Sequence, residues 1–119
     1  MSDYALFIGW GQPVRGRERE AQKVFQEAVQ YWQSKQQAGE IEGFEPFSLT
    51  PHGGDLAGFL IVRGEREKLA ALLVSDDQQR LNLRAGTIVD HFGVVPCLTG
   101  ARTANLIGTL DQVVADLIG

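Results

Sequence analysis

Asp90 and His91 are the neighbours whose chemistry stands out first, inside the run Thr87-Ile88-Val89-Asp90-His91-Phe92-Gly93-Val94-Val95. A histidine near its reference pKa of about 6.5 can act as a general base at neutral pH. A nearby carboxylate can polarise or orient a substrate. Successive residues of a strand point to opposite faces, so the two do not form a dyad by themselves. Asp90 shares a face with Ile88 and Phe92, and His91 shares one with Thr87 and Val89. If both faces are covered, at least one of the pair is interior and must find a partner or shift towards neutrality. The plainer reading is a solvated strand end or a core histidine bonded to a carbonyl. Trp10 can wall a ligand cavity with its indole N–H free, or simply pack against the first helix. Arg63 at the end of a strand and His52 in a Gly-rich turn complete the candidate ligand contacts, although a turn histidine is ordinarily a surface residue.

Other motifs exclude more than they assign. Gly11-Gln12-Pro13-Val14-Arg15-Gly16-Arg17-Glu18 spaces its glycines like a phosphate-binding loop. Arg17 stands where that loop needs lysine and Glu18 where it needs serine or threonine, which argues against a nucleotide triphosphatase. A weaker anion site at the helix N-terminus, aided by Arg15 and Arg17, is the remaining alternative to a solvated basic cluster. Two distant histidines and one cysteine suggest no metal site, and no cofactor is implied. Cys97 reads as an inert buried thiol. Small residues Ala5, Gly9, Gly11 and Gly58 leave space for a ligand or let a helix approach closely.

The elements that must position these residues follow from periodicity. Residues 4–10 are an apolar run closed by Gly11-Gln12-Pro13 and read as a strand. Over residues 17–38 the period changes: Ala21, Val24, Phe25, Ala28, Val29 and Trp32 form one stripe of an amphipathic helix, stopped by Gly39. Residues 44–50 and 56–63 read as an antiparallel hairpin around the turn at 51–55. Gly64 opens a helix carrying Leu69, Ala70, Leu72 and Leu73. Ser75 with Gln78 forms a capping box for a short helix over 76–83. Residues 87–98 read as a long fourth strand, bulged at Gly93. Thr109 with Gln112 reads as another capping box, opening a short final helix with Leu110, Val113, Val114, Leu117 and Ile118.

Strand, helix, hairpin, helix, strand is the βαββαβ order of a ferredoxin-like α+β domain, with a four-stranded antiparallel sheet and an extra C-terminal helix. The 119 residues fit a single domain over 1–119, with 44% hydrophobic and 22% charged content. The net charge of −4 argues against nucleic-acid binding, which needs a basic face. No apolar run is long enough to span a membrane, and the N-terminal segment lacks a basic signal-peptide region. With a single cysteine, a reducing cytoplasmic setting is the expectation. The strands are apolar on both faces: Tyr4, Leu6, Ile8 and Trp10 against Ala5 and Phe7, and Leu60 and Val62 against Phe59 and Ile61. Helices on one side of such a sheet leave the other uncovered. A second copy would cover it, each large side chain contributing about 1.5–3 kcal/mol before entropy costs. The C-terminal helix folding over the open face is the monomeric alternative.

With this element order, the short loop after Trp10 and the run from Thr87 to Val95, the chain resembles the dimeric α/β-barrel superfamily. The resemblance implies a ferredoxin-like subunit pairing sheet to sheet as a homodimer. It also implies a small-molecule pocket between sheet and helices, with cofactor-independent oxygenation or isomerisation of a small organic substrate as its enzymatic form. Within that frame His91 is the candidate base, Asp90 the polarising group and Trp10 the pocket wall. A non-catalytic module binding a ligand or partner on the same scaffold is the alternative.

Overall fold

In the strand β1 (Tyr4–Trp10), Tyr4, Leu6, Ile8 and Trp10 alternate onto one face, and that face receives the helices. The computed structural model describes residues 3–119; Met1 and Ser2, part of the segment read above for a signal peptide, lie outside the described residues. Helix α1 (Glu18–Gln37) follows, its apolar stripe sinking Val24 and Trp32 into the core. Gly39, at φ +77°, ends it in the left-handed conformation that glycine adopts without penalty. Strands β2 (Gly43–Ser48) and β3 (Gly58–Arg63) pair antiparallel, with Phe47 opposite Phe59 and Phe44 opposite Val62. They are shorter than their apolar runs, because residues 49–57 form a loop whose Ala57 N–H donates to the Trp10 carbonyl. Helices α2 (Arg66–Leu73) and α3 (Asp76–Gly86) lead to β4 (Gly93–Leu98) and α4 (Gly100–Ile118).

The sheet order is β2-β3-β1-β4, antiparallel throughout. One cluster holds it to the helices: Leu6, Ile8, Leu60 and Val62 from the sheet, Trp32 from α1, Ile41, and Leu69 and Leu72 from α2. The opposite face carries Phe7, Phe47, Phe59, Ile61 and Val95. Phe59 stacks between Phe7 and Phe47 at centroid distances of 5.1 and 4.7 Å. No buried residue occurs along α4, so this helix does not roof the open face in the monomeric manner considered above.

Two sequence expectations are corrected. Residues 87–92 are not strand. Beyond Gly9 opposite Gly93, where the ladder with β1 ends, their pairing is reduced to an isolated antiparallel bridge between Pro13 and Val89. Their backbone finishes α3 instead, Ile88 and Val89 N–H donating to the Ala85 carbonyl. Asp90 then exchanges bonds with the β1 exit: Gly11 N–H donates to its carbonyl at 2.6 Å, and its own N–H donates to Gln12 at 2.9 Å. His91 turns the chain at φ +56°. Gly93 is thus the first residue of β4 rather than a bulge. The second correction concerns α4, which starts at Gly100 and not near Thr109. The Thr109 hydroxyl donates back to the Asn105 carbonyl at 3.0 Å, so it is satisfied within a helix without capping one.

Trp32 is 1% exposed at the centre of the cluster. Trp32→Ala should therefore lower unfolding free energy by about 3–5 kcal/mol, measured by urea denaturation.

Candidate functional site

Between the helical face of the sheet and helices α1 and α3 lies a cavity of about 610 Å³. This is within the size range of small-ligand sites. Its floor is Ile8, Trp10 and Leu60, with Ser48 and Ala57 from the β2–β3 edge. α1 supplies Ala21, Val24, Phe25, Ala28 and Trp32, while α3 supplies Gln78, Leu81, Asn82 and Ala85. Ile88, Val89 and Phe92, from the segment after α3, close one end. Trp10 meets Phe25 edge to face at 5.8 Å. Both tryptophans of the chain line this space.

The spacing of α3 explains its contribution. Gln78, Leu81, Asn82 and Ala85 sit at i, i+3, i+4 and i+7, one face of the helix. Ser75 Oγ accepts the Gln78 N–H at 3.3 Å, as the capping box requires. The reciprocal half does not form, because the Ser75 N–H already donates to Leu72. The Gln78 side chain is released to the interior, where it is 1% exposed and donates through Nε2 to Asn82 Oδ1 at 2.8 Å. Its Oε1 is buried with no hydrogen-bond partner. Arg84 on α3 grips Glu27 on α1 with both oxygens, at 2.9 and 3.1 Å, across the outside of the cavity. The pair is half exposed and worth at most about 1 kcal/mol, so it orients the helices more than it binds them.

The small strand residues make room for their own neighbours. A Cβ on Gly58 would lie 2.7 Å from the Trp10 ring and 2.8 Å from the Phe47 carbonyl oxygen. Gly9 accommodates the Phe7 ring, and Gly11 the carbonyls of Asp90 and Asp55. The space read from sequence as room for a ligand or a helix is therefore filled at these positions. Gly58 seats the indole that walls the cavity.

Of the sequence candidates, Trp10 alone lines the cavity. Asp90 and His91 are exposed in the turn beside it, so of the two readings given above the solvated one holds and neither residue is interior. His91 Nε2 is 3.9 Å from Asp55 Oδ1, with both side chains well exposed. Arg63 is exposed, and its register opposite Ala5 places it on the sheet face away from the cavity. His52 ties its own loop: Nδ1 accepts from the Gly54 N–H at 3.1 Å, leaving Nε2 to donate to the Leu56 carbonyl at 2.8 Å. At the α1 N-terminus Glu18 already accepts the Gly16 N–H, and Arg17 donates to the Thr87 carbonyl at 3.4 Å. The anion-site alternative is thus met by the chain's own carboxylate. Among the described residues, no group of three or more His, Cys, Asp or Glu is arranged to hold a metal ion.

Shifted titrations lie outside the cavity lining. Burial raises the Tyr31 phenol above its ordinary value against the opposing pull of the Lys35 ammonium. Lys35 is itself raised by its contact with Glu40, at 3.2 Å. Sequence reasoning missed Gln78, Asn82, Phe25 and Trp32 as lining residues. The available signal was the pair of amides placed on the same α3 face as Leu81 and Ala85.

Comparison with solved structures rests on this geometry. A dimeric protein of unknown function and ferredoxin-like fold from Bacteroides fragilis superposes with TM-score 0.57 at 8% identity, covering 81% of this chain and 96% of its own. The fold is ferredoxin-like. SnoaB, a cofactor-independent oxygenase from Streptomyces nogalater, is similar with TM-score 0.55 at 12% identity, over 83% of this chain and 95% of that one. A candidate antibiotic biosynthesis monooxygenase from Chloroflexus aurantiacus gives 0.53 at 11%, over 82% and 94%. No protein-family model matches the chain, and no curated protein does. Among the described residues no helix is long and apolar enough to cross a membrane.

Because the Phe47 carbonyl leaves no room behind Gly58, Gly58→Ala must displace the Trp10 ring. The substitution should cost about 1–3 kcal/mol of stability and shift tryptophan emission, read by denaturation and fluorescence together.

Proposed function

We propose that this chain is a homodimeric small-molecule-binding protein whose site is the cavity between the sheet and helices α1 and α3. The observation that carries the reading is a cavity of about 610 Å³ walled by aromatic rings, with a few amides placed among them. Its enzymatic form is oxygenation or isomerisation of a small organic substrate without a cofactor, in keeping with the activity named for SnoaB. In that form Trp10 walls the substrate, and His91 acts from the adjoining turn as base, with Asp90 as its polarising neighbour. The alternative is a binding module without turnover on the same scaffold. Glu18 is the sole charged side chain in the lining, and the exposure of Asp90 and His91 favours this second reading. A cytoplasmic setting suits both.

Dimerisation is supported by the partly exposed Phe7–Phe59–Phe47 stack and by Val95, which is 53% exposed on the same face. The dimeric state named for the Bacteroides fragilis protein agrees. Along α4, Leu106, Leu110, Val113 and Leu117 form a second exposed apolar stripe that a partner subunit could receive. Size-exclusion chromatography with light scattering should give twice the chain mass at micromolar concentration. Val95→Glu should shift the population towards monomer with the fold retained; a monomeric unsubstituted protein would refute the dimer.

Occupancy of the cavity is testable with Nile red, a neutral solvatochromic dye. Dye emission should rise on binding while emission of Trp10 and Trp32 falls. Ala85→Phe, which fills the α3 wall, should weaken both responses about tenfold or more. Equal binding to that variant would locate the dye elsewhere and remove the cavity from the proposal.

A further inference from the structure

The polar wall of the cavity allows the ligand to be described more closely. We infer that the cavity takes an uncharged molecule carrying an N–H or O–H donor on a flat apolar body, and that Gln78 is the residue that selects for the donor. The inference rests on the cavity reading proposed above.

Three observations carry it. First, Gln78 is almost fully buried, and its Oε1 has no partner while Nε2 is held by Asn82. Buried acceptors left unpaired are uncommon and unfavourable, and they call for a donor. Secondly, Gln78 and Asn82 both line the cavity and are hydrogen-bonded to one another, so their amides form one polar patch in the lining. A small adjustment of the terminal amide, whose torsion is broad and soft, presents Oε1 to a donor while Nε2 stays on Asn82. Thirdly, the lining has no arginine, lysine or histidine, and its one charged residue is the carboxylate of Glu18. An anion entering there would lose its hydration with no cation to receive it, and would face a like charge at the wall. An uncharged ring system loses little hydration and meets Trp10, Phe25 and Trp32.

The amide itself is ambivalent, since it offers an acceptor or, if turned, a donor. Asn82 biases the choice: one Nε2 hydrogen is engaged by its Oδ1, whereas Oε1 has no partner at all, so the larger unmet capacity of Gln78 is acceptance. A ligand with a donor is therefore preferred over its alkylated analogue of nearly the same shape.

Indole, 1-methylindole and indole-6-carboxylate form a probe set that varies donor and charge on one ring system. Titrations followed by protein NMR should show indole binding about tenfold more tightly than 1-methylindole, and indole-6-carboxylate more weakly than both. In Gln78→Leu, folded as judged by its spectrum, the preference for indole over 1-methylindole should shrink to about twofold or less. Retention of the full preference in that variant would overturn the role of Gln78, and tight binding of the carboxylate would overturn the neutral class. Binding of all three with equal strength to the unsubstituted protein would refute this inference and leave the cavity reading standing. Failure of all three, together with failure of Nile red, would remove the cavity reading itself. If Gln78→Leu does not fold, Gln78→Met serves the same comparison.

Discussion

The structure depends on an imbalance of coverage: a thin sheet is apolar on both faces, and the chain's own helices cover only one. On the covered face Leu6, Ile8, Leu60 and Val62 pack around Trp32, Leu69 and Leu72, and this cluster fixes α1 and α2 against the strands. The helices do not close over the sheet uniformly. Where α2 packs, Leu69 and Leu72 fill the interface; over Trp10 and Leu60, beside α1 and α3, a partly open space remains. One layer thus supplies both the core and the candidate site. The uncovered face supplies the argument for a second subunit.

The two tryptophans divide these tasks. Trp32 belongs to the core cluster and also reaches the cavity, so the site's rear wall is part of the fold's most buried region. Trp10 is only partly buried and rests on Gly58, whose missing side chain leaves the ring its place. Rigid packing behind and a seated ring in front are a reasonable way to hold an apolar space open. Protein interiors otherwise tend to close such spaces, because side-chain atoms across a gap lose their contacts.

Elements governed by a local repeating pattern were legible in the sequence. β1 matches its apolar run to the residue, and α1 follows the stripe from Ala21 to Trp32 with Gly39 as its stop. The element order followed from these periods, and the second apolar face from counting side chains along β1 and β3. Less legible was anything decided by where a partner ends. Val94 and Val95 are strand because β1 lies beside them, whereas Ile88 and Val89, equally β-prone, spend their N–H groups on the end of α3 and keep only an isolated bridge from Val89 to Pro13. That boundary placed Asp90 and His91 in a turn and out of the interior. Thr109 misled for another reason, since a hydroxyl followed three residues later by an amide fits a cap or a helix interior equally well. Gln78 was visible as half of a capping box. Its inward role became apparent only once Leu72 was found to occupy the Ser75 N–H.

The end wall of the cavity differs in construction from the rest. The floor and sides are strand and helix, but residues 88–92 are irregular backbone. They are joined to the β1 exit through main-chain bonds: Val14 N–H to Ile88, Gly11 N–H to Asp90 and Asp90 N–H to Gln12. Such bonds are indifferent to the side chains they carry, apart from the glycine that the close approach at position 11 requires. Ile88 is buried and Phe92 packs against the core cluster, so a change of size there is absorbed by neighbouring side chains while these main-chain bonds remain. Related chains could in this way reshape the depth of the chamber, and hence what it admits, without renegotiating the architecture that encloses it.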